Sequence, residues 1–570
     1  MFLYVVHALA CQVVPQSAPS ECPLLRPHEK AQAILQKKET IAVLVAFIIV
    51  IGAAAALRLP QLELRPVHGD EANQAVKTGM LFETGEYRYD PHEHHGPTLY
   101  YLALPVLWSS GAESFADTTI TQYRLIAVFF GLLTILLLWP LRDALGSGPM
   151  LWAALIMAVS HAMTYYSRYY IQEMLLVCFT QAALAAGWRL WRNPRVGWAI
   201  ALGISLGLVH ATKETSALIA MSALAAVALT GAYARLRDGA RLAAQFQALY
   251  NGGALIYAAI ACVATLAVSI TLFSSFFTNL RGPLDSLLTY IHYLPRAEGE
   301  GSTALHNQPW YYYLSLLAYT SRQAGPRWSE AFTLALAAVG TLAVLWPRAK
   351  HDAREDGHDP ARRALLFKRF LVFYTIIATL LYAIIPYKTP WNLLVFYHGM
   401  ALLAGVGANA IVRLGRWRVI QVALSLALLA GAAHLARQSY QGNFIYHADA
   451  RNPYVYAHPA TALHRLTTRI EEIAAIADEG DALHINLIRP DGDYWPLPWY
   501  LRRYTRVGWW HNMPEQPDAA IILAAPQLYD ILQEQLRDDY FIEFHALRPG
   551  ILLHTYIRQD LWDAFIQTRR

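Results

Sequence analysis

The sequence predicts an α-helical polytopic membrane protein with about eleven membrane-spanning helices and a smaller C-terminal α/β domain. Of its 570 residues, 55% are hydrophobic and only 15% are charged, and the mean hydropathy is +0.27. Soluble globular proteins usually carry about 25% charged residues, so this composition is typical of an integral membrane protein. The net charge of +5 is small, and the basic residues are confined to loops. Neither feature indicates nucleic-acid binding.

Apolar runs of about 20 residues are long enough to cross the hydrocarbon core as helices. The sequence contains about eleven of them, at residues 40–59, 121–141, 149–167, 171–191, 196–212, 214–234, 251–275, 330–347, 367–386, 390–412 and 418–437. Two shorter apolar stretches, residues 97–109 and 310–319, are rich in Tyr and Trp and are predicted to lie along the membrane interface. The membrane domain therefore extends over residues 40–437.

Residues 1–39 precede the first span. The start is apolar but lacks the basic residues with which a signal peptide begins, and residues 17–27 are rich in Pro and Ser. We expect a disordered tail, or a start codon assigned too far upstream. The four cysteines show neither the spacing of a metal site nor that of a disulfide framework.

The distribution of basic residues predicts the orientation in the plasma membrane. If the N-terminus, with Lys30, Lys37 and Lys38, is cytoplasmic, every basic cluster of the membrane domain falls in a cytoplasmic loop. This arrangement satisfies the positive-inside rule. The first long loop, residues 60–96, and the C-terminal domain are then extracytoplasmic.

Residues 438–570 have the pattern of a soluble α/β domain. Helical periodicity occurs at residues 466–477 and 527–536, and strand-like apolar runs occur at residues 482–488, 519–523, 540–544 and 551–557.

The first long loop contains an unusual concentration of ionisable groups for a segment between two apolar runs. Asp70 and Glu71 lie just beyond the first span, and histidines follow. Ionisable groups next to a bilayer are costly unless they are solvated or paired, so the loop is a candidate site. A carboxylate here suits three roles: a base toward a hydroxyl group, a ligand of a divalent cation, or the cap of the helix predicted for EANQAVKTGM.

Several short segments carry a resemblance to a known superfamily. The first loop combines Asp-Glu, the turn HHGP and the aromatic segment TLYYLALPVLW. HGDEANQA, SRYYIQEM, HATKETS, YKTPWN and GDYWPLPWYLR occur in this order along the chain. Together they resemble the GT-C superfamily of membrane glycosyltransferases, in its protein O-mannosyltransferase and aminoarabinose-transferase branches. The chain is most similar to the family of "flippase activity-associated" proteins, and the resemblance spans most of residues 40–510.

The resemblance implies transfer of a sugar from a polyprenyl-phosphate donor to a lipid, glycan or protein acceptor. Asp70 would act as the base toward the acceptor hydroxyl with Glu71 beside it, and Glu173 would position the acceptor or a metal ion. Arg168 and Lys388 would hold the donor phosphate, whose negative charge grows as it leaves. Attack opposite that phosphate would invert the anomeric centre.

Further candidates for substrate binding lie in the other segments: His95, Lys213, Glu214, Trp391, Tyr494 and Trp495. Structural explanations compete with these functional ones. Arg168 and Glu173 also suit an ion pair at a helix start, and Lys388 also suits contact with lipid headgroups. Lys213 and Glu214 also suit a pair within the helix bundle. Core packing is a simple alternative to sugar stacking for the tryptophans at 495, 499, 509 and 510.

A divalent metal ion is a candidate cofactor, because imidazole and carboxylate groups bind Zn or Mn. The candidate ligands are Asp70, His92 and His94, with Glu93 nearby, although this spacing matches no known ligand set. Asp491-Gly492-Asp493 has the DxD form of nucleotide-sugar enzymes, but Pro-Asp-Gly is a turn signal.

Two other classes of function stay open. A transporter, or an accessory protein for flipping of lipid-linked sugars, predicts charges deep within helices and broken helices in paired halves. The charges in this sequence lie mainly near loops, which favours an enzyme. A scaffold without catalytic activity would bind partners through residues 440–570.

Overall fold

The computed structural model describes residues 27–92, 95–238, 253–298, 306–346 and 359–569. The chain forms two compact units, residues 1–49 and residues 50–570. The described part of the first unit is the beginning of helix α1, which starts at Pro27. Residues 27–39 are therefore helical where the sequence predicts a disordered tail, because Ala, Gln, Leu and Lys continue the helix with favourable propensities. The rest of the predicted tail lies outside the described residues.

Helices account for most of the described chain. Their bounds are α1 Pro27–Arg58, α2 Gly69–Thr84, α3 Thr98–Ser109, α4 Ile120–Leu136, α5 Ser147–Val159, α6 His161–Tyr166, α7 Glu173–Arg192, α8 Val196–His210, α9 Ser216–Asp238, α10 Ala254–Phe273, α11 Gly282–Glu298, α12 Tyr312–Ala318, α13 Ala331–Leu345, α14 Pro360–Ile384, α15 Leu394–Leu414, α16 Arg418–Tyr440, α17 Ala462–Ile476, α18 Tyr529–Gln535 and α19 Gln559–Gln567.

Each predicted membrane span corresponds to a helix. Within the described ranges, eight helices are long and apolar enough to cross a membrane, which makes the chain a multi-pass membrane protein. Helices α5, α8 and α13 are apolar but shorter. The span predicted at residues 149–167 is divided, because Ser160 caps the start of α6 by accepting a hydrogen bond from the Met163 N–H group. The two stretches predicted to be interfacial are α3 and α12.

Helix α15 lies at the centre of the membrane domain, and most of its residues are buried. It packs closely on α13 through small residues. A Cβ atom on Gly340 of α13 would overlap the backbone carbonyl of Leu403, and one on Gly407 of α15 would overlap that of Leu336. Glycine permits this backbone contact, which replaces side-chain packing between membrane helices.

The C-terminal domain contains a five-stranded sheet in the order β2-β1-β3-β5-β4. The strands are β1 His484–Ile488, β2 Arg506–Trp510, β3 Ile521–Ala524, β4 Tyr540–Arg548 and β5 Ile551–Arg558. Strand β1 is parallel to β2 and β3, whereas β5 is antiparallel to β3 and β4. The four predicted strands and two predicted helices are confirmed, and α17 packs its apolar face on the sheet. Strand β2 is missing from the prediction, because RVGWW is short and lacks a buried face.

The C-terminal domain contacts the first long loop directly. The Val67 N–H group donates a hydrogen bond of 2.9 Å to the hydroxyl of Tyr500. Arg502 contacts the segment between α3 and α4, where it donates to the Phe115 carbonyl at 3.3 Å. The contact between Val67 and Tyr500 brings residues 494–502 next to the acidic start of α2.

Candidate functional site

Helix α2 begins with a capping box formed by His68 and Glu71. The His68 Nδ1 atom accepts a hydrogen bond of 2.9 Å from the Asp70 N–H group, and the His68 N–H group donates to Glu71 Oε2 at 3.2 Å. Because Nδ1 accepts, the proton of the neutral ring is on Nε2, which donates to the Tyr456 carbonyl at 3.0 Å. His68 thus caps α2, a role that the sequence left open for Asp70. The Asp70 carboxylate is therefore available for other contacts.

The two neighbouring acids have opposite environments. The Asp70 side chain is 52% exposed, whereas that of Glu71 is fully buried. Glu71 accepts two hydrogen bonds from Arg124, at 2.8 and 2.6 Å, and one of 2.9 Å from the Tyr170 N–H group. Burial alone would raise the pKa of Glu71, but the charge and hydrogen bonds of Arg124 lower it to about 2. With the His68 contact, both carboxylate oxygens are fully used, which favours a structural role for Glu71 over the predicted catalytic one.

Arg168 is buried and holds the loop that follows α1. Its guanidinium donates to the carbonyls of Arg58, Pro60 and Gln61 at 2.9, 2.7 and 2.9 Å. Burial, together with neighbouring arginines, lowers the pKa of Arg168 to about 9. Arg168 therefore does not form the alternative ion pair with Glu173. The predicted contact with a donor phosphate would require release of these carbonyls.

Lys388 is also buried and also contacts carbonyls. Its ammonium group donates to the carbonyls of Ile385 and Gln308, and its backbone N–H group donates to the His306 carbonyl at 3.0 Å. Burial lowers the pKa of Lys388. The His306 ring in turn forms a hydrogen bond of 2.5 Å with the Tyr456 hydroxyl. Lys388 is therefore linked to His68 through His306 and Tyr456. Because its side chain is buried, it does not extend to lipid headgroups.

Lys213 and Glu214 do not pair with each other. The Lys213 ammonium forms a buried ion pair with Glu173 and donates to Asn392 Oδ1 at 3.1 Å. Glu214 accepts a hydrogen bond of 2.7 Å at its Oε2 from His95 Nδ1. The segments SRYYIQEM, HATKETS and YKTPWN therefore meet at one place, as their shared resemblance suggests.

An aromatic cluster includes His68, the cap of α2, and Trp391, which precedes Asn392 in the chain. Trp391 is 5.9 Å from the ring of His68, 6.1 Å from that of Tyr169 and 5.8 Å from that of Tyr456, between ring centroids. His458 stacks on Tyr169 at 5.6 Å and lies 4.9 Å from His68. We call these five residues the aromatic cluster.

The charge of Asp70 acts on this cluster. Burial raises the pKa of Tyr169 and Tyr456, and the negative charge of Asp70 adds to both effects. The two phenols therefore stay protonated at neutral pH; the Tyr456 hydroxyl is hydrogen-bonded to His306, and the buried Tyr169 hydroxyl has no hydrogen-bond partner among the described residues. The site thus combines an exposed carboxylate with a largely buried group of aromatic rings.

Five residues of this arrangement are absent from the predicted site residues: His68, Arg124, Tyr169, Tyr456 and His458. Arg124 offered a signal, because a charged residue at the edge of a predicted span usually has a buried partner. Tyr169 lies within SRYYIQEM. The segment YVYAHP, which contains Tyr456 and His458, follows the last span and carries no local pattern.

The remaining candidates lie at the edge of the C-terminal domain. A Cβ atom on Gly69 would be 3.5 Å from the Cβ atom of Trp495, and Tyr494 stacks on Trp495 at 6.3 Å. Asp491 pairs with Arg489 at 2.6 Å, and Asp493 pairs with Arg548. These ion pairs and the turn at Gly492 support the interpretation of the DxD sequence as a turn.

The structure describes only some of the predicted metal ligands. The exposed His92 ring lies 4.2 Å from that of His292, and His94 and Glu93 lie outside the described residues. Across the described part of the chain, there is no group of three or more His, Cys, Asp or Glu residues that could hold a metal ion. A metal site with Asp70, His92 and His94 therefore stays a prediction, because His94 lies outside the described residues.

Comparison with known proteins gives a match to one family model and matches to solved structures. The sequence model of the family described as dolichyl-phosphate-mannose-protein mannosyltransferase matches residues 107–265. No curated protein matches the chain.

Among solved structures, ArnT from Cupriavidus metallidurans bound to undecaprenyl phosphate has a TM-score of 0.57 at 15% identity, over 90% of this chain and 98% of that chain. The oligosaccharyltransferase AglB from Archaeoglobus fulgidus, in complex with an inhibitory peptide and a dolichol-phosphate, has a TM-score of 0.51 at 11% identity, over 92% of this chain and 77% of that chain. These matches confirm the predicted resemblance at the level of the fold: the chain has the fold of the GT-C superfamily of membrane glycosyltransferases.

Proposed function

We propose that the protein transfers a sugar from a polyprenyl-phosphate donor to a lipid, glycan or protein acceptor. The reaction takes place on the extracytoplasmic side of the plasma membrane, with the N-terminus in the cytoplasm. The observation that carries the proposal is the exposed carboxylate of Asp70 at the start of α2, next to the aromatic cluster. Structural similarity to proteins solved with undecaprenyl phosphate and dolichol-phosphate supports the choice of donor.

Asp70 is the proposed general base. Its carboxylate takes the proton of the acceptor hydroxyl as the acceptor oxygen bonds to the anomeric carbon of the sugar. The bond between that carbon and the phosphate oxygen breaks, and the polyprenyl phosphate leaves with the bonding electrons. Asp70 lies in the first turn of α2, where the partial positive charge of the helix N-terminus attracts a negatively charged side chain or ligand. Glu71 acts indirectly, since its contacts with Arg124 and His68 hold the first turn of α2 in place.

Lys388 is the proposed partner of the leaving phosphate. It neighbours the aromatic cluster through the contact between His306 and Tyr456, and within the described ranges its ammonium group donates to backbone carbonyls alone. A phosphate oxygen is a stronger acceptor than a carbonyl, so it can replace them. Arg168 also stays a candidate, but it would have to give up three contacts that hold the loop after α1.

Glu173 and Lys213 are proposed to position the site. Their ion pair is buried and includes Asn392, the neighbour of Trp391 in the aromatic cluster. The sequence-based role of Glu173, placement of the acceptor, is consistent with this connection. The charges of Asp70, Glu173 and Lys213 lie at helix ends, which favours an enzyme over a transporter for lipid-linked sugars.

The test is complementation of a deletion strain with full-length variants, followed by comparison of envelope glycolipids and glycoproteins. Asp70→Asn removes the base without changing its size, so we expect loss of the modified product at a normal protein level. Glu86→Gln is the matched control, because Glu86 is an exposed acid of the same loop, and this variant should restore the product fully. Full product with Asp70→Asn would refute the enzymatic proposal and favour a scaffold.

A further inference from the structure

A row of partly exposed rings extends from the start of α2 across the edge of the C-terminal domain. Trp495 is next to Gly69, and Tyr494 stacks on it with ring centroids 6.3 Å apart. Tyr494 is in turn 5.1 Å from Trp509 and 6.1 Å from His511. We call Tyr494, Trp495, Trp509 and His511 the aromatic platform.

The inner part of the platform is rigid. Tyr494 and Trp509 pack against the hydrophobic core of the C-terminal domain, and Trp509 is also held by the pairing of β2 with β1. Both side chains nevertheless stay partly exposed. They therefore present fixed ring surface to a ligand, which reduces the entropy lost on binding.

Core packing does not explain Trp495. It is partly exposed, and it lies outside the two hydrophobic clusters that described residues of the C-terminal domain form. In the same ranges, neither its indole N–H group nor the His511 ring has a hydrogen-bond partner. The platform thus offers apolar ring faces together with free polar edges. Sugar rings have the matching surface, because their C–H faces are apolar and their rims carry hydroxyls.

The two acids of the turn beside the platform are already paired. Asp491 is neutralised by Arg489, and Asp493 by Arg548. The exposed carboxylate of Asp70, which is next to Trp495 through Gly69, repels an anionic headgroup or an acidic peptide but not a neutral glycan.

We propose that the aromatic platform binds a neutral glycan and delivers one of its hydroxyls to Asp70, so that the acceptor is a carbohydrate chain. This inference rests on the proposed function, because it supplies the acceptor for that reaction. Trp495 would contact the sugar unit nearest Asp70, since it packs next to Gly69, the residue that precedes Asp70. Tyr494 and Trp509 would contact the units that follow.

The experiment uses the full-length protein in lipid nanodiscs and polysaccharide extracted from the envelope of a deletion strain, in which the acceptor is unmodified. The parallel probes are the same polysaccharide after periodate oxidation, the envelope lipid fraction and the envelope peptide fraction. Binding is measured by biolayer interferometry. We expect the intact polysaccharide to bind, and Trp495→Leu and Trp509→Leu to weaken that binding about tenfold each. Trp495→Phe, which keeps a ring, should retain most of the affinity.

The control is Phe544→Leu, which removes an exposed ring from β4 of the same domain outside the platform. It should bind polysaccharide like the wild type. Equal binding by Trp495→Leu and Trp495→Phe, or binding of the lipid or peptide fraction alone, would overturn the inference. Complementation by Asp70→Asn reports on the chemistry and polysaccharide binding by Trp495→Leu reports on the platform, so a failure of the proposed chemistry and a failure of the platform give different results.

Discussion

The guanidinium of Arg124 and the carboxylate of Glu71 form a buried bidentate pair, with Nη2 2.6 Å from Oε2 and Nε 2.8 Å from Oε1. The same guanidinium donates to the carbonyls of Leu62 and Arg65 at 2.5 and 2.9 Å. One side chain of α4 thus fixes both the loop after α1 and the first turn of α2. The exposed Asp70 owes its position to this buried neighbour.

The first prediction concerns Glu71→Gln. This change removes the charge that compensates Arg124 and leaves a buried cation unpaired, with Arg65 at 4.0 Å also losing its counterion. We expect a loss of about 3–5 kcal/mol in the free energy of unfolding. Thermal unfolding of the purified protein in detergent measures it.

Asp70→Asn is the matched comparison, because it makes the equivalent change at an exposed neighbour. It should leave the unfolding temperature unchanged, since surface substitutions usually alter stability by less than about 0.5 kcal/mol. If Asp70→Asn lowered the unfolding temperature and Glu71→Gln did not, Glu71 would not be the structural acid and Asp70 the functional one.

The membrane spans could be predicted from sequence because length and hydropathy determine them, whatever the packing. Four of the five strands of the C-terminal domain followed from apolar runs for the same reason. The contacts of Arg168 and Lys388 could not be predicted in this way. Sequence places both cations at helix ends, but only the fold shows which backbone carbonyls they satisfy.

The candidate site was predictable only where its residues lie in a recognisable segment. Glu173, Lys213 and Trp391 lie in such segments, and the fold brings these segments together. Tyr456 and His458 contact His68 from a position far along the chain. No local pattern marks such residues, because their role depends on tertiary contacts alone.

The second prediction concerns the ion pair between Lys213 and Glu173. Lys213→Met or Glu173→Gln alone removes one partner and leaves the charge of the other buried and unpaired. Each change should reduce the free energy of unfolding by about 3–5 kcal/mol. The double variant should be less destabilised than the sum of the two, because no charge is left unpaired. A double-mutant cycle from chemical unfolding measures this coupling. Additive losses would show that the two side chains do not act as a pair in solution.

The third prediction concerns pH. Burial holds the pKa of His68 below its ordinary value of 6.5, against the opposing charges of Asp70 and Glu71. As the pH falls through about 6.5, the unfolded chain binds a proton that the folded chain does not, so stability decreases toward lower pH. His68→Asn keeps a cap acceptor but cannot titrate, and it should reduce the slope of unfolding free energy between about pH 7 and 5.

Other buried histidines also contribute to that slope, including His458, whose pKa is well below its ordinary value because of burial. The relevant quantity is therefore the difference between wild type and His68→Asn in the slope of the unfolding free energy against pH. His92→Asn serves as the control, because His92 is an exposed histidine of the same loop. A slope unchanged by His68→Asn, or reduced as much by His92→Asn, would exclude the neutral cap.

The fourth prediction separates the two cations that the sequence assigns to the donor phosphate. Lys388→Met should weaken binding of undecaprenyl phosphate about tenfold, since it removes a charged donor whose carbonyl partners a phosphate can replace. Arg168→Lys should instead lower the unfolding temperature, because one ammonium cannot reach all three carbonyls that the guanidinium holds. Binding is measured with the full-length protein in nanodiscs and stability by thermal unfolding. If Lys388→Met bound the lipid normally while a stable Arg168→Lys did not, the phosphate would belong to Arg168, and the loop after α1 would have to move when the donor binds.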